Sequence, residues 1–152
     1  YPFLRRVAGR AETCWGLDRT VLAAQDGRIR LQPHDLAEPL PFADEAVDQF
    51  LCLAVIEHLP EPRQVIRECA RCLAPGGRLI VTTPSRLGIW VHEVLQALRL
   101  VRDVPAGEHQ DHRLGPGRLA DWVAEAGLIV RTARHFEAGL NVILVAEKPR
   151  LG

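Results

Sequence analysis

Residues 38–62 read EPLPFADEAVDQFLCLAVIEHLPEP, and the arrangement of the whole chain turns on this stretch. Pro39 and Pro41 punctuate a loop, and Asp44 and Glu45 mark a turn. An apolar run over 47–56 then leads to Glu57, His58 and Leu59 before Pro60 and Pro62. So short an apolar run, bounded by turn residues, predicts a strand buried on both faces with a loop after it. Strands of that kind belong to parallel sheets covered by helices, where ligands gather at the strands' carboxyl ends. Residues 52–58 are therefore the first place to look for a site.

Working back from this strand, residues 1–10 carry Phe3, Leu4 and Val7 at helical spacing. Residues 13–17 predict a short strand that stops at Asp18, 19–25 a brief helix, and Asp26-Gly27 a turn. Residues 29–33 alternate as a strand does and run into His34-Asp35. Two carboxylates, Asp18 and Asp35, thus end consecutive strands. Acids so placed commonly grip ribose hydroxyls and a base amino group. The plainer alternative is that each caps a helix or faces water.

Working forward, Pro62 opens a helix whose Val65, Ile66, Cys69, Ala70 and Leu73 share one face, and Pro75-Gly76-Gly77 is expected to end it. Residues 78–83 predict the next buried strand. Residues 88–102 predict an amphipathic helix with Trp90, Val91, Val94, Leu95, Leu98 and Val101 in a stripe that covers something. Residues 104–115, holding His109 and His112, lack periodicity and predict a loop. A helix from Gly115-Pro116 follows, with Leu119, Trp122, Val123 and Ala126 on one face and a stop at Gly127. Two apolar runs, 128–132 and 141–147, are joined closely enough to pair antiparallel. The result is one domain over 1–152: an α/β, open, mostly parallel sheet with an antiparallel last pair.

With 152 residues the chain has the size of one domain with a single core. Nineteen basic residues balance nineteen acidic ones, so no global field draws it to nucleic acid or to an anionic membrane. No apolar stretch predicts stable membrane insertion. The four cysteines fall in predicted strands and helices, the behaviour of reduced core thiols, which predicts a cytoplasmic location. Cys69-x-x-Cys72 lies on the apolar face of its helix with no second ligand pair, so packing is expected there and no metal site.

From Cys14 to Gly127 the chain resembles the class I S-adenosylmethionine-dependent methyltransferases. The matching pieces are Gly16-Leu17-Asp18, His34-Asp35 followed by LPFADEAVDQF, Val55-Ile56-Glu57-His58-Leu59, Leu73-Ala74-Pro75-Gly76-Gly77-Arg78-Leu79 leading to TTP, and LADWVAEAG at 119–127. The resemblance implies a Rossmann-like sheet and S-adenosyl-L-methionine as cofactor. It implies that Asp18 accepts from the ribose hydroxyls, with Leu17 and Arg19 beside the adenine. Asp35 would meet the adenine amino group while Leu36 packs on the ring. Cys52 and Leu53 would lie near the methionine portion and the sulfonium, and Glu57 and His58 would close the turn into the next helix.

One piece departs from that pattern: no Gly-x-Gly precedes Asp18, whereas the family carries a first strand and a glycine-rich loop there. With no methionine anywhere and Tyr1 at the start, the expectation is a domain truncated at its N-terminus. Its sheet would then expose two unpaired strand edges, which leaves room for a homodimer. The resemblance further implies methyl transfer to a small-molecule acceptor, for which alignment and exclusion of water matter most. If the acceptor is a hydroxyl or amine, His112, His109 and His58 are the candidate bases; each is otherwise a solvated or capping histidine. The competing readings are a non-catalytic domain that binds the adenosine cofactor or a partner, and a nicotinamide-dependent oxidoreductase.

Overall fold

The strand predicted at the centre of the sequence pairs in parallel with the next one, and the rest of its unit follows from that pair. The computed structural model describes residues 2–98 and 115–150. It divides into two compact units, Tyr1–Pro39 and Leu40–Gly152. In chain order the elements are α1 (Pro2–Ala8), β1 (Cys14–Asp18), β2 (Ala24–Asp26), β3 (Ile29–Pro33), β4 (Val47–Leu53), α2 (Pro62–Cys72), β5 (Leu73–Pro84), α3 (Arg86–Ala97), α4 (Pro116–Glu125), β6 (Ile129–Phe136) and β7 (Asn141–Glu147).

In the first unit the strand order is β1-β3-β2, with β1 and β3 parallel and Asp18 level with Pro33. Ala8, Ile29 and Leu31 form its small core, with Leu4, Cys14 and Val21 packed against them. Gly16 lets α1 lie close on this sheet, because a Cβ there would come within 2.8 Å of Leu31 and 2.9 Å of Leu4. The helix expected over 19–25 does not form. Asp18 accepts hydrogen bonds from both the backbone N–H and the hydroxyl of Thr20, a local turn that competes with a helical start. Leu22 is 83% exposed, so no apolar face holds a helix down, and residues 24–26 pair antiparallel with β3 instead.

In the second unit the order is β4-β5-β7-β6, parallel between β4 and β5 and antiparallel thereafter. Leu79 and Val81 of β5 and Val142, Leu144 and Ala146 of β7 line its buried face. Over that layer lie Val65, Ile66 and Cys69 of α2 and Leu119, Trp122 and Val123 of α4, also buried. Full burial of a Leu, Ile or Val contributes about 1.5–3 kcal/mol, which makes this layer the main source of stability.

Three boundaries differ from the sequence expectation. β4 ends at Leu53; Ala54 takes a positive φ of 52°, and Ile56–His58 form a single 3-10 turn. α2 ends at Cys72, before Pro75-Gly76-Gly77, because Leu73 is already extended and pairs with Val47. The proline-glycine run sits inside β5 as an irregularity, with Gly76 at φ 81°. The amphipathic helix starts at Arg86, two residues early, since Ser85 caps it by accepting from the Gly88 N–H. None of its residues is buried: Leu87, Trp90, Val94 and Leu98 are exposed along one stripe.

Candidate cofactor site at the ends of two parallel strands

Asp18 and Asp35 come together. They follow neighbouring parallel strands of the first unit, and the His34 N–H donates to the Asp18 carbonyl at 3.1 Å, tying the two strand ends. Asp18 Oδ1 accepts from Thr20 N at 2.7 Å and Thr20 Oγ1 at 2.6 Å. These bonds, and to a lesser degree the charge of Arg19, hold its carboxyl below the usual range. Asp35 Oδ1 accepts from the Ala37 N–H at 2.9 Å, and its Oδ2 lies 3.8 Å from the Arg19 guanidinium. The two acids are thus acceptors at one sheet rim, with Arg19 beside the second.

Beneath Asp18 opens a shallow cleft of about 360 Å³, lined by Leu4, Gly16, Leu17, Asp18, Thr20, Val21 and Leu31. Leu17 therefore stands at the cleft, while Leu36 is half-buried just past Asp35. Thr20 and Val21 escaped the sequence reading. The signal was present in Asp18-Arg19-Thr20, since an aspartate two residues before a threonine favours the local turn that orients its carboxylate.

The remaining predicted residues lie in the second unit or outside the described residues. Cys52 pairs with Val81 and shares its face under α2, so its thiol points into the core. Burial, helped by the charge of Glu57, pushes that thiol up to about 12, so it stays protonated at neutral pH. Leu53, the next residue, faces the opposite side at the strand's carboxyl end. Glu57 is buried and His58 half-exposed in the 3-10 turn, their side chains 3.9 Å apart. His109 and His112 lie outside the described residues.

Two acids ending adjacent parallel strands are an arrangement by which open α/β sheets hold nucleosides. The family described as "Methyltransferase domain" matches residues 3–81, just over half of the chain and the part that holds both acids and β4. An O-methyltransferase of ubiquinone biosynthesis from Xylella fastidiosa is 40% identical over 106 residues, 68% of this chain and 41% of that protein. The chain thus spans about two fifths of the length of this curated relative. Among solved structures, a chain from the complex between the Haloferax volcanii Trm112 methyltransferase activator and a methyltransferase aligns with a TM-score of 0.78. It is 16% identical, and the match covers 97% of this chain and 77% of that one. An S-adenosylmethionine-dependent methyltransferase from Mesorhizobium loti aligns at 0.69 and 14% identity, covering 96% and 85%.

The chain belongs to the methyltransferase domain family, with the class I S-adenosylmethionine-dependent fold. The cofactor of that family is S-adenosyl-L-methionine. The residues at the rim suit its nucleoside end: Asp18 and Asp35 are exposed acceptors, and the cleft has apolar walls in Leu4, Leu17 and Val21.

Proposed function

We propose that this chain is part of an S-adenosylmethionine-dependent methyltransferase whose acceptor is a small molecule, methylated at a hydroxyl. The observation that carries the reading is the meeting of Asp18 and Asp35 at the rim of β1 and β3, above a cleft of about 360 Å³. Support for the hydroxyl acceptor comes from the relative named as an O-methyltransferase of ubiquinone biosynthesis. The balance of 19 basic and 19 acidic residues adds no pull toward nucleic acid.

The cofactor supplies an electrophilic methyl group on sulfur. The chain's own part is to hold and orient. Asp18 would accept from the ribose hydroxyls chiefly through Oδ2, since both Thr20 bonds go to Oδ1, Asp35 would meet the adenine amino group, and Leu17, Arg19 and Leu36 would flank the base. We assign no base beyond the candidates His58, His109 and His112. A hydroxyl acceptor needs one only if its own acidity is too low.

We treat the two compact units as parts of one methyltransferase domain, since the family match at 3–81 runs across the boundary at Pro39. The cytoplasm is the compartment that suits four free thiols. Among the described residues, no helix is long and apolar enough to cross a membrane.

The test is calorimetric titration with S-adenosylhomocysteine. Asp18→Asn keeps the size of the side chain and removes its charge, and it should weaken binding about tenfold, as loss of a charge-assisted hydrogen bond does. Asp35→Asn should weaken it less, because Arg19 already draws on that carboxylate. Equal binding by wild type and Asp18→Asn would remove the reading. A spectral change with reduced nicotinamide dinucleotide in place of S-adenosylhomocysteine would favour an oxidoreductase.

A further inference from the structure

Two groups of one residue end on a single oxygen at the rim of the first unit. Thr20 lines the cleft together with Leu17, Asp18 and Val21, and its backbone N–H and its hydroxyl both donate to Asp18 Oδ1, at 2.7 and 2.6 Å. A carboxylate oxygen offers two lone pairs, so these bonds fill Oδ1. The Val21 N–H exerts only the smallest pull on the same carboxylate, so Oδ2 keeps room for an incoming donor. A ligand with two neighbouring hydroxyls cannot spread them over both oxygens of Asp18 while Thr20 holds one.

The Thr20 hydroxyl supplies what Asp18 lacks. At 2.6 Å its bond to Oδ1 is as short as charge-assisted O–H···O bonds are, which fixes where its proton points. A hydroxyl that gives its proton away keeps two lone pairs. Thr20 is exposed, so water or a ligand can reach them. Asp18 Oδ2 and Thr20 Oγ1 thus flank the filled Oδ1 as a pair of acceptors, one charged and one neutral.

We propose that Thr20 is itself a binding residue for the nucleoside: one hydroxyl of the ribose diol donates to Asp18 Oδ2 and its neighbour donates to Thr20 Oγ1. The inference rests on the cofactor reading above and uses groups of the first unit alone. No proton changes hands, and every hydroxyl in the row remains a donor toward the carboxylate. Ribose to Thr20 to Asp18 is a chain of bonds running toward one negative charge, in which each bond polarises the next. The two ribose hydroxyls are then unequal, since a bond to a charged acceptor is the stronger.

The experiment is calorimetric titration of the 152-residue chain with S-adenosylhomocysteine and with its 2′-deoxy and 3′-deoxy analogues. On the wild type, one analogue should bind about tenfold weaker, having lost a bond to a charged acceptor, and the other about threefold weaker, having lost a bond to a neutral one. Thr20→Val keeps the branched shape and the backbone N–H and removes the hydroxyl. It should bind S-adenosylhomocysteine about threefold weaker and no longer distinguish it from the second analogue, while the first keeps its deficit. Thr20→Ser should restore the wild-type pattern. Equal affinity of wild type and Thr20→Val for S-adenosylhomocysteine would overturn the assignment, because the released Oδ1 would then serve the second hydroxyl as well as Thr20 does. So would two deficits that shrink together in Thr20→Val, the mark of a hydroxyl that only props Asp18. A wild-type chain that binds no S-adenosylhomocysteine removes the cofactor reading and this inference with it. Wild-type binding with either of the adverse Thr20→Val results removes Thr20 alone.

Discussion

Glu68 shows how one side chain can decide the fate of a loop. Its carboxylate accepts from the Leu40 N–H at 3.0 Å and from Arg71 at 2.7 and 3.0 Å, while Arg71 also donates to the Leu40 and Phe42 carbonyls and to Asp44. These bonds, those of Arg71 first, hold the Glu68 carboxyl below its ordinary value of 4.5. A folded-state pKa below the unfolded one means stability that is complete above the unfolded value and is lost as pH falls through the folded value. Glu68→Gln should therefore cost about 1 kcal/mol at about pH 6, and urea midpoints of variant and wild type should converge in more acid solution. An undiminished difference at low pH would mean that Glu68 acts by shape alone. The Glu68–Arg71 pair has the spacing of neighbours on a helix, but its hold on the loop could not be read from the sequence, because Leu40 and Phe42 lie about thirty residues away. Asp18 and Asp35 were legible, since a strand pattern ends at each of them.

The seam between β5, α3 and the β6–β7 turn is held by small residues. Ser85 Oγ donates to the Gly139 carbonyl at 2.6 Å and accepts from the Gly88 N–H at 3.0 Å, and the Ser85 N–H donates to the Leu140 carbonyl at 2.8 Å. Gly88 faces the Leu140 carbonyl so closely that a Cβ would collide with backbone. The turn opposite runs through Glu137, Ala138 and Gly139, all at positive φ, and is not free to retreat without strain. Gly88→Ala should cost about 2 kcal/mol by overpacking and Ser85→Ala about 1 kcal/mol as a lost cap. Denaturant midpoints measure both, and a Gly88→Ala variant as stable as wild type would mean that α3 is free to shift. The strands were legible because apolar and β-branched runs stand between turn residues. The segment 19–25 was misread because its apolar run, Val21-Leu22-Ala23-Ala24, is too short to separate helix from strand, and the Asp18–Thr20 turn tipped it. Pro75-Gly76-Gly77 was misread because glycine punctuates a strand irregularity as readily as a helix end.

Across the whole molecule, β1 and β4 each end the strand order of their own sheet, so each leaves one edge unpaired among the described residues. The edge of β4 is an adhesive one, since Phe50, Leu51, Cys52 and Leu53 are only half-buried and no charge interrupts them. We propose that this edge pairs with a second copy of the chain. The ladder makes that testable without disturbing the fold. The Ala54 N–H donates to the Thr82 carbonyl at 2.9 Å, so by the alternation of a parallel strand Cys52 also turns its backbone groups toward β5, while Leu51 and Leu53 turn theirs outward. Leu51→Pro removes only an outward N–H, which an edge strand tolerates. Cys52→Pro removes one that the β4–β5 ladder uses. Sedimentation should therefore find a concentration-dependent dimer for wild type and a folded monomer for Leu51→Pro, with Cys52→Pro losing cooperative unfolding. A wild-type chain that stays monomeric at every concentration would sink the pairing, as would a Leu51→Pro dimer as tight as the original.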